Sequence, residues 1–223
     1  INIKIMNIYI VLGSGNSGAG AIHDYLSSRE DCIAPFKGAE FRIVNDPNGL
    51  DDLYNNLFEN FSINKSSNSI YEFRKFIRTI YYSNYNKKFK IYKKEIIKLS
   101  NDFIKSIAKT NYNGSPQFFL DNLNFYQKFK FYFFRFILRK NARNIDLLNM
   151  ITPVSSDKFL QEANKFLFNI IKFNPNFDGK KNVVIEQGGN YWRPITSTKY
   201  YGTNRKVILV NRNPKAIFWS MKR

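Results

Sequence analysis

Asn7-Ile8-Tyr9-Ile10-Val11-Leu12 runs into Gly13-Ser14-Gly15-Asn16-Ser17-Gly18-Ala19-Gly20, and then into Ala21-Ile22-His23-Asp24-Tyr25-Leu26. The first six residues are continuously apolar and partly β-branched, as in a strand buried on both faces of a parallel sheet. The glycines form a flexible turn. Ala21, Ile22, Tyr25 and Leu26 then recur at helical spacing. Strand, glycine loop and helix in this order predict the start of an α/β unit.

Strand patterns return near the other end of the chain. Asn182-Val183-Val184-Ile185 leads into Glu186-Gln187-Gly188-Gly189, and Lys206-Val207-Ile208-Leu209-Val210 leads into Asn211-Arg212-Asn213-Pro214. A helix is expected to open at Lys215. Between these ends, from about 50 to 173, apolar residues recur at three and four. Tyr71, Phe73, Phe76, Ile77, Ile80 and Tyr81 form one such row, and Ile91, Ile96, Ile97, Phe103, Ile104 and Ile107 another. Both read as amphipathic helices. Polar breaks fall near 62–69 and 111–116. Ser155 is placed to cap a helix that runs to about Phe173, before Pro175. The expectation is one three-layer α/β/α domain over 1–223 with a parallel sheet. Its core is 1–48 and 178–223, split by a long helical insertion.

A glycine turn between a buried strand and a helix N-terminus gathers backbone N–H groups around one point, and the helix adds about half a positive charge. Such a loop binds phosphate or sulfate, although a glycine turn without a ligand fits the residues too. Gly13 and Gly18 nearly fit the nucleoside triphosphatase pattern G-x-x-x-x-G-K-[ST]. Ala19 stands where the Lys belongs and Gly20 where the hydroxyl belongs, so the β/γ-phosphate and magnesium contacts are missing.

Composition bounds the partners. The 223 residues carry 35 Lys and Arg against 17 Asp and Glu, a formal charge of +18, which favours anionic partners. The joint excess of Lys, Asn, Ile, Tyr and Phe is also what AT-rich coding produces. With 43% hydrophobic and 17% aromatic residues the chain is not of disordered type. Cys32 is alone, which excludes an intrachain disulfide and fits a reducing, cytoplasmic setting. One His and one Cys exclude a structural zinc site. No secretory signal and no apolar run of about 18 residues is present. The chain opens on Ile1 and stops at Arg223 inside an expected helix, which predicts a fragment.

The second strand end is the more specific. Val207 to Ser220, with its hydrophobic strand, Arg212-Asn213-Pro214, and a Ser eight residues after the Arg, resembles the 3′-phosphate segment of the sulfotransferases. Arg212 at a strand end can grip phosphate with its planar fork, and Pro214 fixes the helix start. Eight residues is just over two turns, so Ser220 returns to the face where the helix began.

The resemblance covers about the first 45 residues and the last 40. It implies a P-loop-like fold and transfer of a sulfuryl group from 3′-phosphoadenylyl sulfate to a hydroxyl or amine, without a metal. Gly15, Asn16, Ser17, Gly18, Ala19 and Gly20 would then hold the phosphosulfate, and Arg212 and Ser220 the 3′-phosphate. Pro35-Phe36-Lys37-Gly38-Ala39-Glu40-Phe41-Arg42 resembles the segment of glycan and bacterial members in which a Glu takes the acceptor proton. That makes Glu40 the base and Lys37 its charge-stabilising neighbour, with a solvated loop as the plain alternative.

The departures matter. The family usually has a cation at the place of Asn16, hydroxyl residues at Ala19 and Gly20, and a Lys near Gln187. Glu186 is an alternative base, Arg193 an alternative cation, and Trp192 a stacking or core residue. His23 is expected to be structural or at the surface. A triphosphate-binding kinase or triphosphatase, and a non-catalytic sulfotransferase-like binding protein, are the competing readings.

The acceptor is open, with a polysaccharide or lipid-linked glycan the class implied. Phe125 to Lys140 mixes aromatics with cations and reads as a buried helix with snorkelling cations, with a membrane-surface helix as the alternative. Nucleic acid is disfavoured because no recognised module is present.

Overall fold

The computed structural model describes residues 7–36, 38–82, 93–114, 120–137, 148–173, 177 and 182–222. β1 (Ile8–Gly13), β2 (Cys32–Ile33), β5 (Asn182–Glu186) and β6 (Arg205–Val210) form one parallel sheet in the order β2-β5-β1-β6. β1 lies inside the sheet, with Ile10 opposite Ile185 on one side and Val207 on the other. Two-sided burial explains why the sequence of β1 is apolar at every position.

The alternation along β1 divides the core. Ile8, Ile10 and Leu12 face a large cluster that includes Val183 and Ile185 of β5. That cluster also takes Phe73 and Ile77 of α3 (Ile63–Tyr82) and Phe103 and Ile104 of α4 (Lys93–Ser106). α6 (Ser156–Lys172) adds Phe159, Phe166 and Ile170. Val11 faces the opposite side, where it packs with Val184, Cys32 and Ala19 of α1 (Ala19–Ser27). Helices therefore cover both sheet faces, and residues of the middle stretch supply one of those layers.

Local capping agrees with the sequence. Ser155 Oγ accepts from Lys158 N at 3.4 Å at the start of α6. Asn213 Oδ1 accepts from Lys215 N at 2.9 Å at the start of α8 (Pro214–Met221). α2 (Leu50–Tyr54) is short and passes into a π-turn over Asn55–Glu59.

Three expectations for the middle stretch are corrected. The break near 62–69 lies almost wholly inside α3, which starts at Ile63. The break read at 111–116 is strand as far as Gly114. β3 (Ala108–Gly114) pairs antiparallel with β4 (Leu148–Pro153), and Thr110 and Thr152 share a hydroxyl hydrogen bond of 2.6 Å. Polar residues hid this strand pair because period alone decides only well-alternating strands. The aromatic helix α5 (Phe125–Ile137) is also not a buried helix. Phe131 is buried, while Phe125, Tyr126, Phe129, Tyr132, Phe133 and Phe136 are exposed. No helix among the described residues is long and apolar enough to cross a membrane.

Candidate functional site

In a parallel sheet the loops leaving β1, β5 and β6 emerge at one edge, the carboxyl edge, where open α/β sheets bind ligands. The glycine loop leaves β1 there. Ser17 N donates to Ser14 O at 3.0 Å, which curls the loop. Asn16 lies at φ 59° and Gly18 at φ 96°, both left-handed, a region that Asn tolerates and Gly occupies freely. α1 starts at Ala19, two residues before its expected start, so Ala19 and Gly20 fall in its first turn. A first turn leaves N–H groups without helical partners. Ser17 Oγ is buried, with the residue 6% exposed, and finds no hydrogen-bond partner among the described residues. A side chain on Gly13 would overlap that hydroxyl, so the close packing of the loop base requires glycine.

β6 delivers Arg212 to the same loop. Its Nη1 donates to Asn16 O at 3.1 Å across 196 residues of sequence. Ser220 Oγ donates to Ala216 O at 2.9 Å within α8.

β5 delivers the third wall. Gln187 sits at φ 53°, a strained conformation for a residue of this type. Two bonds hold it: Gln187 N to Val11 O at 2.9 Å and Gln187 Nε2 to Gly13 O at 2.8 Å. Phe41 N donates to Glu186 O at 2.8 Å, which draws Glu40 to the same edge. A cleft of about 260 Å³ results, lined by Gly13, Ser14, Glu40, Arg42, Gln187 and Trp192 among others. Arg42 pairs with Asp46 at its rim, and the i, i+4 spacing is the sequence signal for that pair.

Glu186 borders Gly20, one of the departures from the expected loop. Its Oε1 would be 3.2 Å from a Cβ on Gly20. A larger residue at that position would require the Glu186 carboxylate to give way by a few tenths of an ångström. Burial pushes the Glu186 carboxyl above its ordinary value of 4.5. Nearby His23 opposes this, while Glu40 and Asp24 push further up. His23 is only 2% exposed and belongs to the protein interior.

A raised carboxyl holds its proton more tightly folded than unfolded. Its contribution is complete below 4.5 and is lost as pH rises through the higher folded value. Glu186→Gln keeps the shape and removes the ionisation. Thermal melts should therefore show the variant gaining stability relative to the wild type as pH rises from 4.5 to neutrality. A difference that stays flat with pH would sink this account.

The remaining expected residues separate. Arg193 turns to Asp51, with Nη2–Oδ2 at 3.2 Å, in a network where Tyr200 Oη donates to Asp51 Oδ1 at 2.8 Å. Trp192 is 83% exposed beside the cleft, which rules out core packing for it. Cys32 is buried in β2. Lys37 lies outside the described residues. No protein-family model, no curated protein and no solved structure matches this chain.

Proposed function

We propose that the chain is a sulfotransferase of P-loop-like fold that takes its sulfuryl group from 3′-phosphoadenylyl sulfate. The observation that carries this reading is the bond from Arg212 to the Asn16 carbonyl. It joins two loops, each suited to an anion, on neighbouring parallel strands. A strand order with the glycine-loop strand inside the sheet supports the finer fold.

In this reading the amides of Gly15 to Gly20 hold the phosphosulfate and Arg212 the 3′-phosphate. Glu40, in the cleft beside Gly13 and Ser14, takes the proton of an acceptor hydroxyl or amine. The acceptor atom bonds to sulfur as the bond from sulfur to the bridging oxygen breaks, and the electron pair leaves with the bisphosphate. Asn16 offers no charge to that leaving oxygen, so developing negative charge rests on the loop amides. The open cleft and exposed Trp192 suit a sugar acceptor, which stacks on aromatic faces.

One observation favours a triphosphate instead. Glu186 ends the strand next to β1 and faces Gly20, where a carboxylate could hold a hydrated cation.

Calorimetric titration separates the readings. Adenosine 3′,5′-bisphosphate should bind without metal, and Arg212→Ala should weaken it about 10- to 100-fold, the effect of one charge-assisted phosphate contact. Binding of ATP with magnesium alone would select the triphosphate reading. Bisphosphate binding without turnover would select a non-catalytic relative.

A further inference from the structure

α5 carries its apolar face outward. At about 100° per residue, Tyr132, Phe125, Phe136, Phe129, Phe133 and Tyr126 share one arc of about 120°. All six are exposed, with Phe125 at 86% and Phe136 at 73%. Two of these rings, Phe129 and Phe133, stack at 5.9 Å. On the opposite side Phe131 is buried. A helix that belongs to a protein core has the reverse orientation. Lys130 lies exposed at one margin of the aromatic arc and Lys128 at the other, where its Nζ donates to Asp121 O at 3.0 Å.

Charge selects the occupant. Every charged residue in α5 is a cation: Lys128, Lys130 and Arg135. No Asp or Glu occurs in the sequence between Asp121 and Asp146, whereas Arg139, Lys140 and Arg143 do. The whole chain carries +18. An aromatic face with cationic margins matches the interface of an anionic bilayer. Rings enter the boundary between headgroups and acyl chains there, and the ammonium groups meet lipid phosphates. A second copy of this chain would bring like charges together around the same rings.

We propose that α5 is a membrane-surface helix that docks the protein on anionic lipid, with its axis parallel to the bilayer. This proposal is independent of the reaction at the sheet edge.

The test is flotation of the full chain with vesicles of phosphatidylcholine alone and of phosphatidylcholine mixed with phosphatidylserine. The wild type should float with the mixed vesicles only, and added salt should weaken it. Replacing Phe125, Phe129, Phe133 and Phe136 together by Ser should lower binding about tenfold or more, with an unchanged circular dichroism spectrum. A second measurement guards against misfolding. Phe129→Cys carrying an environment-sensitive dye should shift to the blue with the mixed vesicles and not with the neutral ones. Failure of the wild type to float, flotation of the serine variant as strong as the wild type, or an unshifted dye would each overturn the proposal. So would a dimer that the serine variant splits while neither protein floats, since a second copy would then cover the face.

Discussion

Glu40→Gln is expected to lower turnover by about 10²- to 10⁴-fold while adenosine 3′,5′-bisphosphate binds as before. The glutamine keeps the shape of the side chain and loses the proton acceptor. Glu40 lines the cleft with Gly13, Ser14 and Gln187, beside the space an acceptor would fill. Arg212, which this reading assigns to the donor, is bound to the glycine loop at Asn16. Turnover is measured as bisphosphate released from 3′-phosphoadenylyl sulfate with a polysaccharide acceptor. Glu186→Gln is the natural comparison, because Glu186 is the neighbouring carboxyl and its pKa is raised. A full loss in Glu186→Gln and none in Glu40→Gln would move the proton to Glu186.

The second large effect concerns stability. Gly49→Ala should destabilise the fold by about 3 kcal/mol and lower Tm by roughly 6–12 °C. Its backbone is extended rather than left-handed, so strain in φ is not the reason. Space is the reason. An added Cβ would lie 2.6 Å from Ile43 O, 2.8 Å from Asp46 O and 2.9 Å from Val44 O. All three are backbone atoms and cannot swing aside. Ile43 O and Val44 O also accept from Leu50 N and Asp51 N, so a shift would break the turn that starts α2. The same turn carries Asn45 and Asp46 into the cleft wall. Gly15→Ala is the control, since a Cβ there meets nothing within 4 Å. Equal melting temperatures for Gly49→Ala and the wild type would refute the packing argument.

The sequence alone determined the local units. β1, the glycine loop and α1 were legible because a buried parallel strand is apolar throughout and the turn after it needs glycine. The start of α6 was legible because an N-cap is set by the residues beside it, here Ser155. Arg212 and its loop were legible for the same reason. Tertiary structure decided what those units meet. That Arg212 reaches Asn16, that Glu186 borders Gly20, and that Arg193 turns to Asp51 depend on strand order and contacts across long sequence separations. A residue's spacing fixes which neighbours share its face. It does not fix whether that face points to the core or to solvent, and α5 displays its aromatic face to solvent.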